Sequence, residues 1–199
     1  MYVARILYPV EVLGPGRRVG IWFCGCHRRC KGCSNPELWE FQDRYRTTPQ
    51  FVYHMILEIA KKHTIEGFTL TGGEPMLQPD DLQHFISLIR NISNDILVYT
   101  GYLLEELEPK KLQNISVLID GEYIESRNTN CVLRGSDNQR IHVLDPELEK
   151  KYNTYLSQNT NQIQNFMTND GVISVGIHKP GFMQDLHRAV AERGLQKHK

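Results

Sequence analysis

Four of the five cysteines stand between positions 24 and 33, in the run FCGCHRRCKGCSNPELW (residues 23–39), and nothing else in the chain restricts its fold as severely. Thiols at that density bind metal, carry redox chemistry or pair as disulfides. The N-terminal MYVARILYPVEVLGPG lacks a charged start, a long apolar centre and a small-residue cleavage site, and no apolar run approaches the roughly 18 residues of a membrane span. A cytoplasmic protein with no membrane contact is therefore expected. In that reducing compartment the cluster points to metal or redox work rather than to structural disulfides. Cys131, alone and far downstream, reads as a small buried hydrophobe.

Charge narrows the partners. Lys plus Arg and Asp plus Glu both total 23, so no global field draws the chain to nucleic acid or an anionic surface, and no nucleic-acid partner is expected. With 40% hydrophobic residues in 199, one main domain with its own core is expected.

RRVGIWF alternates with Val19, Ile21 and Phe23 on one face, which predicts a strand running into the cysteines. TPQFVYHMILEIAKKH then spaces Val52, Met55, Ile56, Ile59 and Ala60 for a helix, opened by Thr48 and Pro49. GFTLTGG predicts a strand and glycine turn, PDDLQHFISLIRN a helix with Leu82, Phe85, Ile86 and Ile89 inward, DILVYTG a strand, YLLEELEP a short helix and NISVLIDG a strand. Such alternation predicts an α/β fold with a parallel sheet and right-handed crossovers. Ligands bind beyond the carboxyl ends of such strands, so the cysteines, TGGEP, YTGY and DGEY should converge on one edge. From about Asp145 the chain turns polar and rich in Asn and Gln, predicting a helical or loose connector. GVISVGIHKPGF then predicts a strand, and MQDLHRAVAERGLQKHK an amphipathic helix with a basic end.

Cys26, Cys30 and Cys33 form C-x3-C-x2-C. Zinc sites pair two short knuckles far apart in sequence, and no second knuckle follows. A closed iron–sulfur cluster takes four cysteines, one per iron. Three would leave one iron open to a small molecule, whereas a zinc loop or closed cluster would recruit Cys24 as well. If the strand continued, Cys24 and Cys26 would point the same way, yet Cys24 is expected to stand beside the site rather than in it. In TLTGGEP (residues 69–75), Gly72 and Gly73 permit close backbone approach to a ligand, and Glu74 offers a carboxylate to an ammonium group.

C-x3-C-x2-C followed by GGEP resembles the radical S-adenosylmethionine enzymes. GPGRRVGIWFCGCHRRCKGCSNPELW, TLTGGEP, VYTGY, VLIDGEY and RGSDNQRI together resemble, in the same order and over roughly residues 8–142, the activating-protein family of anaerobic ribonucleoside-triphosphate reductase. The resemblance implies a compact partial (β/α) barrel over residues 1–144 with a C-terminal extension over 145–199. It implies a 4Fe-4S cluster held by Cys26, Cys30 and Cys33, its open iron binding S-adenosylmethionine. Reductive cleavage then yields a 5′-deoxyadenosyl radical that takes a hydrogen atom from a glycine of a glycyl-radical enzyme, the large reductase subunit, with reduced flavodoxin or a ferredoxin-type protein as electron donor. Gly32, Ser34, Asn35, Gly72, Gly73, Glu74 and Arg134 would contact S-adenosylmethionine, and no further catalytic side chain is implied. Asp120, Gly121 and Arg140 match positions of less defined role, structural arginines being the plainer reading.

Three departures stand out. Ser34 replaces the family's usual aromatic residue after the third cysteine, Cys24 replaces another residue, and the chain runs on well past RGSDNQR. The competing readings are a small radical enzyme acting on another peptide or small molecule, and a non-enzymatic iron–sulfur or zinc module.

Overall fold

The structure is a computed structural model and describes residues 1–157, 160–168 and 171–192. Its centre is a six-stranded sheet in sequential order: β1 (Val3–Val10), β2 (Arg18–Phe23), β3 (Gly67–Gly72), β4 (Ile96–Tyr99), β5 (Val117–Asp120) and β6 (Arg140–Val143). Strands β2 to β5 are parallel, and β1 and β6 pair antiparallel at the two edges. The mixed α/β class with a mostly parallel sheet agrees with the strand and helix alternation. Neither edge strand was legible: each pairs by an antiparallel return that its own few residues do not encode.

Helices α1 (Pro49–Ala60) and α2 (Pro79–Ile89) cover one face. Thr48 caps α1, its Oγ1 accepting from the Phe51 N–H at 3.2 Å, and Pro49 opens the first turn. Val19, Ile21 and Phe23 of β2, Phe68 and Leu70 of β3, and Ile96 and Val98 of β4 meet Val52, Ile56, Leu82, Phe85, Ile86 and Ile89 in the main core. Met55, expected inward, is exposed. Tyr53 packs against the core instead, so the buried stripe of α1 is rotated toward that side and Met55 falls beyond its edge. YLLEELEP forms only the 3-10 turn Leu104–Glu106. Pro109 disfavours helical backbone at Glu108, which is extended.

The opposite face is closed by the C-terminal segment. Helix α3 (Glu149–Leu156) buries Tyr152 against Leu97, Val117 and Ile119. The stretch that follows, read as part of a connector, instead supplies β7 (Ile163–Thr168), which pairs with β8 (Gly171–Gly176) as a separate antiparallel hairpin. Val175 of β8 packs on Val10, Leu13, Trp22 and Leu38. Gln164 ties the hairpin to the end of β1, accepting from the Glu11 N–H at 3.0 Å and donating to the Pro9 carbonyl at 2.7 Å. Helix α4 (Phe182–Glu192) follows, and the basic end at residues 193–199 lies outside the described residues. No described helix is long and apolar enough to cross a membrane.

A charged group sits inside this packing. Arg18 is wholly buried and pairs with Asp95 at 3.0 Å. Asp95 also accepts from Lys151 Nζ and from the Tyr152 hydroxyl, both at 2.6 Å, fastening α3 to the sheet. Burial pushes the Asp95 carboxyl up, but Arg18, Lys151 and Tyr152 together hold it below the ordinary carboxylate range. Asp95→Ala leaves Arg18 buried without a counterion and is expected to cost about 3–5 kcal/mol in urea unfolding. Because the folded carboxyl titrates lower than the unfolded one, its stabilisation is complete above the unfolded value near 3.8 and fades as pH falls below it. The acid limb of the stability profile should be shallower in Asp95→Asn.

Candidate cluster and cofactor site

The four parallel strands end at one level. Phe23 pairs with Gly72 and Tyr99 with Ile119 in register, so the loops after β2, β3, β4 and β5 leave the same edge. They meet around a cavity of about 200 Å³.

Beyond Phe23 the chain turns at Gly25 rather than continuing as strand, which separates the two neighbouring cysteines. Cys24 is fully buried and its Sγ lies 2.9 Å from the Glu40 carbonyl. Cys26 faces the cavity with Cys30 and Cys33, so the two do not point the same way. All three cavity thiols are free and partly buried. Burial, then the nearby Glu122 carboxylate, push the Cys30 thiol up to about 11, and Cys26 and Cys33 add to the rise. Burial likewise raises Cys33. A strongly cationic group would hold all three as thiolates, as an iron–sulfur cluster does. Among the described residues no set of three His, Cys, Asp or Glu side chains is arranged to hold a single metal ion. A cluster, taking each thiolate on a different iron, needs no such convergence, so the donor set fits it.

The TGGEP turn is locked onto this loop. Gly73 N–H donates to the Phe23 carbonyl at 2.8 Å and Glu74 N–H to the Gly25 carbonyl at 2.7 Å. Gly72 takes φ +105°, and a Cβ on Gly73 would fall 2.5 Å from the Gly25 oxygen. The glycines therefore serve an approach of backbone to backbone, beside whatever ligand contact they make. Glu74 is also committed within the protein. Its Oε1 accepts from Met76 N–H and from the Thr100 hydroxyl, both at 2.9 Å, and its Oε2 from Gly101 N–H at 2.7 Å. Burial pushes its carboxyl up, and the three donors and Arg28 pull it back. The carboxylate buckles the β3 loop to the β4 loop.

Cys26, Cys30, Cys33, Ser34, Asn35, Gly72, Gly73 and Glu74 all line the cavity. Gly32 does not: it is exposed, beside Glu125. Arg134 lies outside the cavity lining, its Nη1 donating to the carbonyls of Gln139 and Asp137 at 3.2 and 3.4 Å, which closes its own loop. Arg140 is structural too: it grips Asp120, and both Glu105 oxygens at 2.9 and 2.7 Å. Gly121 and Tyr99 reach the cavity.

Motif reading passed over Arg5, Trp22 and Trp39, which also line the cavity, and residues 173–178 of β8 and the stretch just after it that wall it. Arg28 lies 4.5 Å over the Tyr102 ring at the cavity edge. The alternation of GVISVGIHKPGF announced a strand, but nothing local announced that it crosses back to the site.

A thiol triad beside a glycine turn, at the carboxyl edge of a parallel sheet, defines an iron–sulfur protein that handles a small ligand at its cluster. A model of the 4Fe-4S single cluster domain matches residues 12–142. The anaerobic ribonucleoside-triphosphate reductase-activating protein of Enterobacteria phage T4 is 35% identical over 142 residues, covering 68% of this chain and 90% of that one. Its counterpart from Vibrio cholerae is 34% identical over 146 residues, 68% and 94% of the two chains. At greater distance, the pyruvate formate-lyase-activating enzyme of Clostridium pasteurianum is 27% identical over 122 residues, 60% of this chain and 51% of that one. The chain belongs to the family of anaerobic ribonucleoside-triphosphate reductase-activating proteins. Strands β7 and β8 lie beyond the segment that the domain model matches.

Proposed function

We propose that this protein is a radical S-adenosylmethionine activase that installs a glycyl radical on a partner enzyme, anaerobic ribonucleoside-triphosphate reductase. The family relationship supports the activity, and one observation supports the assignment of its site: Cys26, Cys30 and Cys33 share a cavity with the 72–74 turn while Cys24 is buried away from it. In this reading those three thiolates hold the 4Fe-4S cluster, and the sheet is the core of a partial (β/α) barrel spanning 1–144, with 145–199 as an addition whose helix α3 and β7–β8 hairpin cover its second face. When bound and reduced, the cluster supplies the electron that cleaves the sulfonium carbon–sulfur bond of S-adenosylmethionine, and the resulting radical removes the glycine hydrogen.

The chain's own residues orient and enclose. Ser34, Asn35 and the glycine turn present backbone and small polar groups to the methionine end, with Glu74 holding that turn in place. Trp22, Tyr99 and the β8 wall offer apolar surface that excludes water from the reacting centre. The electron comes from reduced flavodoxin or a ferredoxin-type donor.

The test is electron paramagnetic resonance of the anaerobically reconstituted, reduced protein, with and without S-adenosylmethionine, followed by mixing with the reductase. A cluster signal that shifts with ligand, 5′-deoxyadenosine release and a glycyl-radical doublet on the reductase are expected. Cleavage without that doublet would move the substrate to another peptide or small molecule, and an unresponsive metal site would end the activase reading.

A further inference from the structure

Trp39 carries a polar group that the fold leaves unused. It closes the 3-10 turn Pro36–Leu38, and two hydrogen bonds lash this segment to the cysteine loop: Gly25 N–H to the Leu38 carbonyl and Cys26 N–H to the Trp39 carbonyl, both at 2.8 Å. The indole is thereby set into the cavity wall with Cys33. Its Nε1 is buried and has no acceptor within hydrogen-bonding geometry. Buried donors are almost always satisfied, so one that is not asks what it was placed for.

Cys33 answers that. The Asn35 N–H stands 3.4 Å from its Sγ. The Trp39 indole lines the same cavity as this sulfur, with its buried N–H unpaired. The Arg29 guanidinium sits 5.9 Å from the centroid of the Trp39 ring and pairs with Glu40. A cation over the face draws density from the indole and makes its N–H a better donor. Cys30 has the opposite surroundings, with Glu122 Oε1 3.8 Å from its sulfur.

We propose that Trp39 is a positioning residue for the cluster, its indole N–H joining the Asn35 N–H in hydrogen bonding to the Cys33 thiolate and raising the cluster's reduction potential. This rests on the assignment of Cys33 as a cluster ligand. Reduction adds one electron, and its charge spreads onto the sulfurs. N–H donors stabilise that added charge more than they stabilise the oxidised state. Cys33 then accepts from two N–H donors, Asn35 and Trp39.

The test is a redox titration of the reconstituted full chain and its Trp39→Phe variant, followed by electron paramagnetic resonance, with electron spin echo measurements on protein containing 15N-indole tryptophan. Trp39→Phe keeps an aromatic ring in place and removes the donor together with part of the indole's volume. Its ratio of reduced to oxidised cluster at a fixed solution potential should fall roughly fivefold, equivalent to about 40 mV for one electron. The reduced wild type should show a 15N coupling that Trp39→Phe lacks. Unchanged potential in a fully loaded Trp39→Phe variant, or no coupling in the reduced wild type, overturns the proposal. Should the variant fail to take up iron, the wild-type coupling decides alone. A wild type that assembles no cluster at all would overturn the activase reading along with this one, and its iron and sulfide content separates that failure from the others.

Discussion

Cys26→Ala, Cys30→Ala and Cys33→Ala are each expected to abolish the 4Fe-4S cluster and all cleavage of S-adenosylmethionine, while Cys24→Ala keeps both. Each cavity thiolate would hold a different iron, so no neighbour substitutes for a missing one. Cys24 is the closest candidate for a replacement, yet its Sγ is turned to the Glu40 carbonyl and the side chain is wholly enclosed. Reaching the cavity would require breaking the Cys24 N–H bond to the Tyr2 carbonyl and the Gly25 N–H bond to Leu38. Truncating Cys24 forfeits one weak S–H contact and some packing, about 1 kcal/mol, a stability effect that leaves iron uptake intact. Iron and sulfide analysis with the visible absorbance of the reconstituted variants checks this. Loss of the cluster in Cys24→Ala at unchanged stability would make the site a four-thiolate one and close the iron that the activity needs open.

The same residues mark where sequence reading succeeds. Strands β2 to β5 and helices α1 and α2 were legible because each carries a complete local pattern: alternation for the strands, a stripe for the helices, and a Thr-Pro start at Thr48. Convergence of the four loops then follows from parallel pairing alone. Cys24 shows the limit. Continued alternation would point it the same way as Cys26, although it was expected beside the site, and the positive φ of Gly25 turns the chain after the point where alternation stops applying. The edge strands β1 and β6, and the hairpin wall at Ile173, Val175 and Ile177, depend on partners far away in sequence. Arg134 was read from its neighbourhood in a motif, but its guanidinium meets the carbonyls of its own loop first.

Glu74→Ala is expected to destabilise the fold and to weaken S-adenosylmethionine binding together. The motif alone makes Glu74 a ligand to an ammonium group, in which case removing it would lower affinity and leave stability unchanged. In the structure its carboxylate satisfies two backbone N–H groups, Met76 and Gly101, and the Thr100 hydroxyl, in a site only 2% exposed. Alanine leaves both amides buried without an acceptor, for about 2–4 kcal/mol in total. For a chain of this size that corresponds to a fall in Tm of roughly 5–15 °C. Glu74→Gln retains one acceptor oxygen and points an NH2 at the other donors, so it should recover part of the stability but not all of it. Because the buckle joins the β3 and β4 loops, its loss also lets the Gly72 and Gly73 turn drift from the cluster loop, and affinity for S-adenosylmethionine should fall at least about tenfold, since misplacing a binding turn removes several contacts at once. Thermal denaturation and equilibrium binding on the same preparations separate the two roles: affinity lost at an unchanged Tm would return the carboxylate to direct contact with the ammonium group, whereas parallel losses, graded from glutamine to alanine, identify Glu74 as the strut that sets the turn.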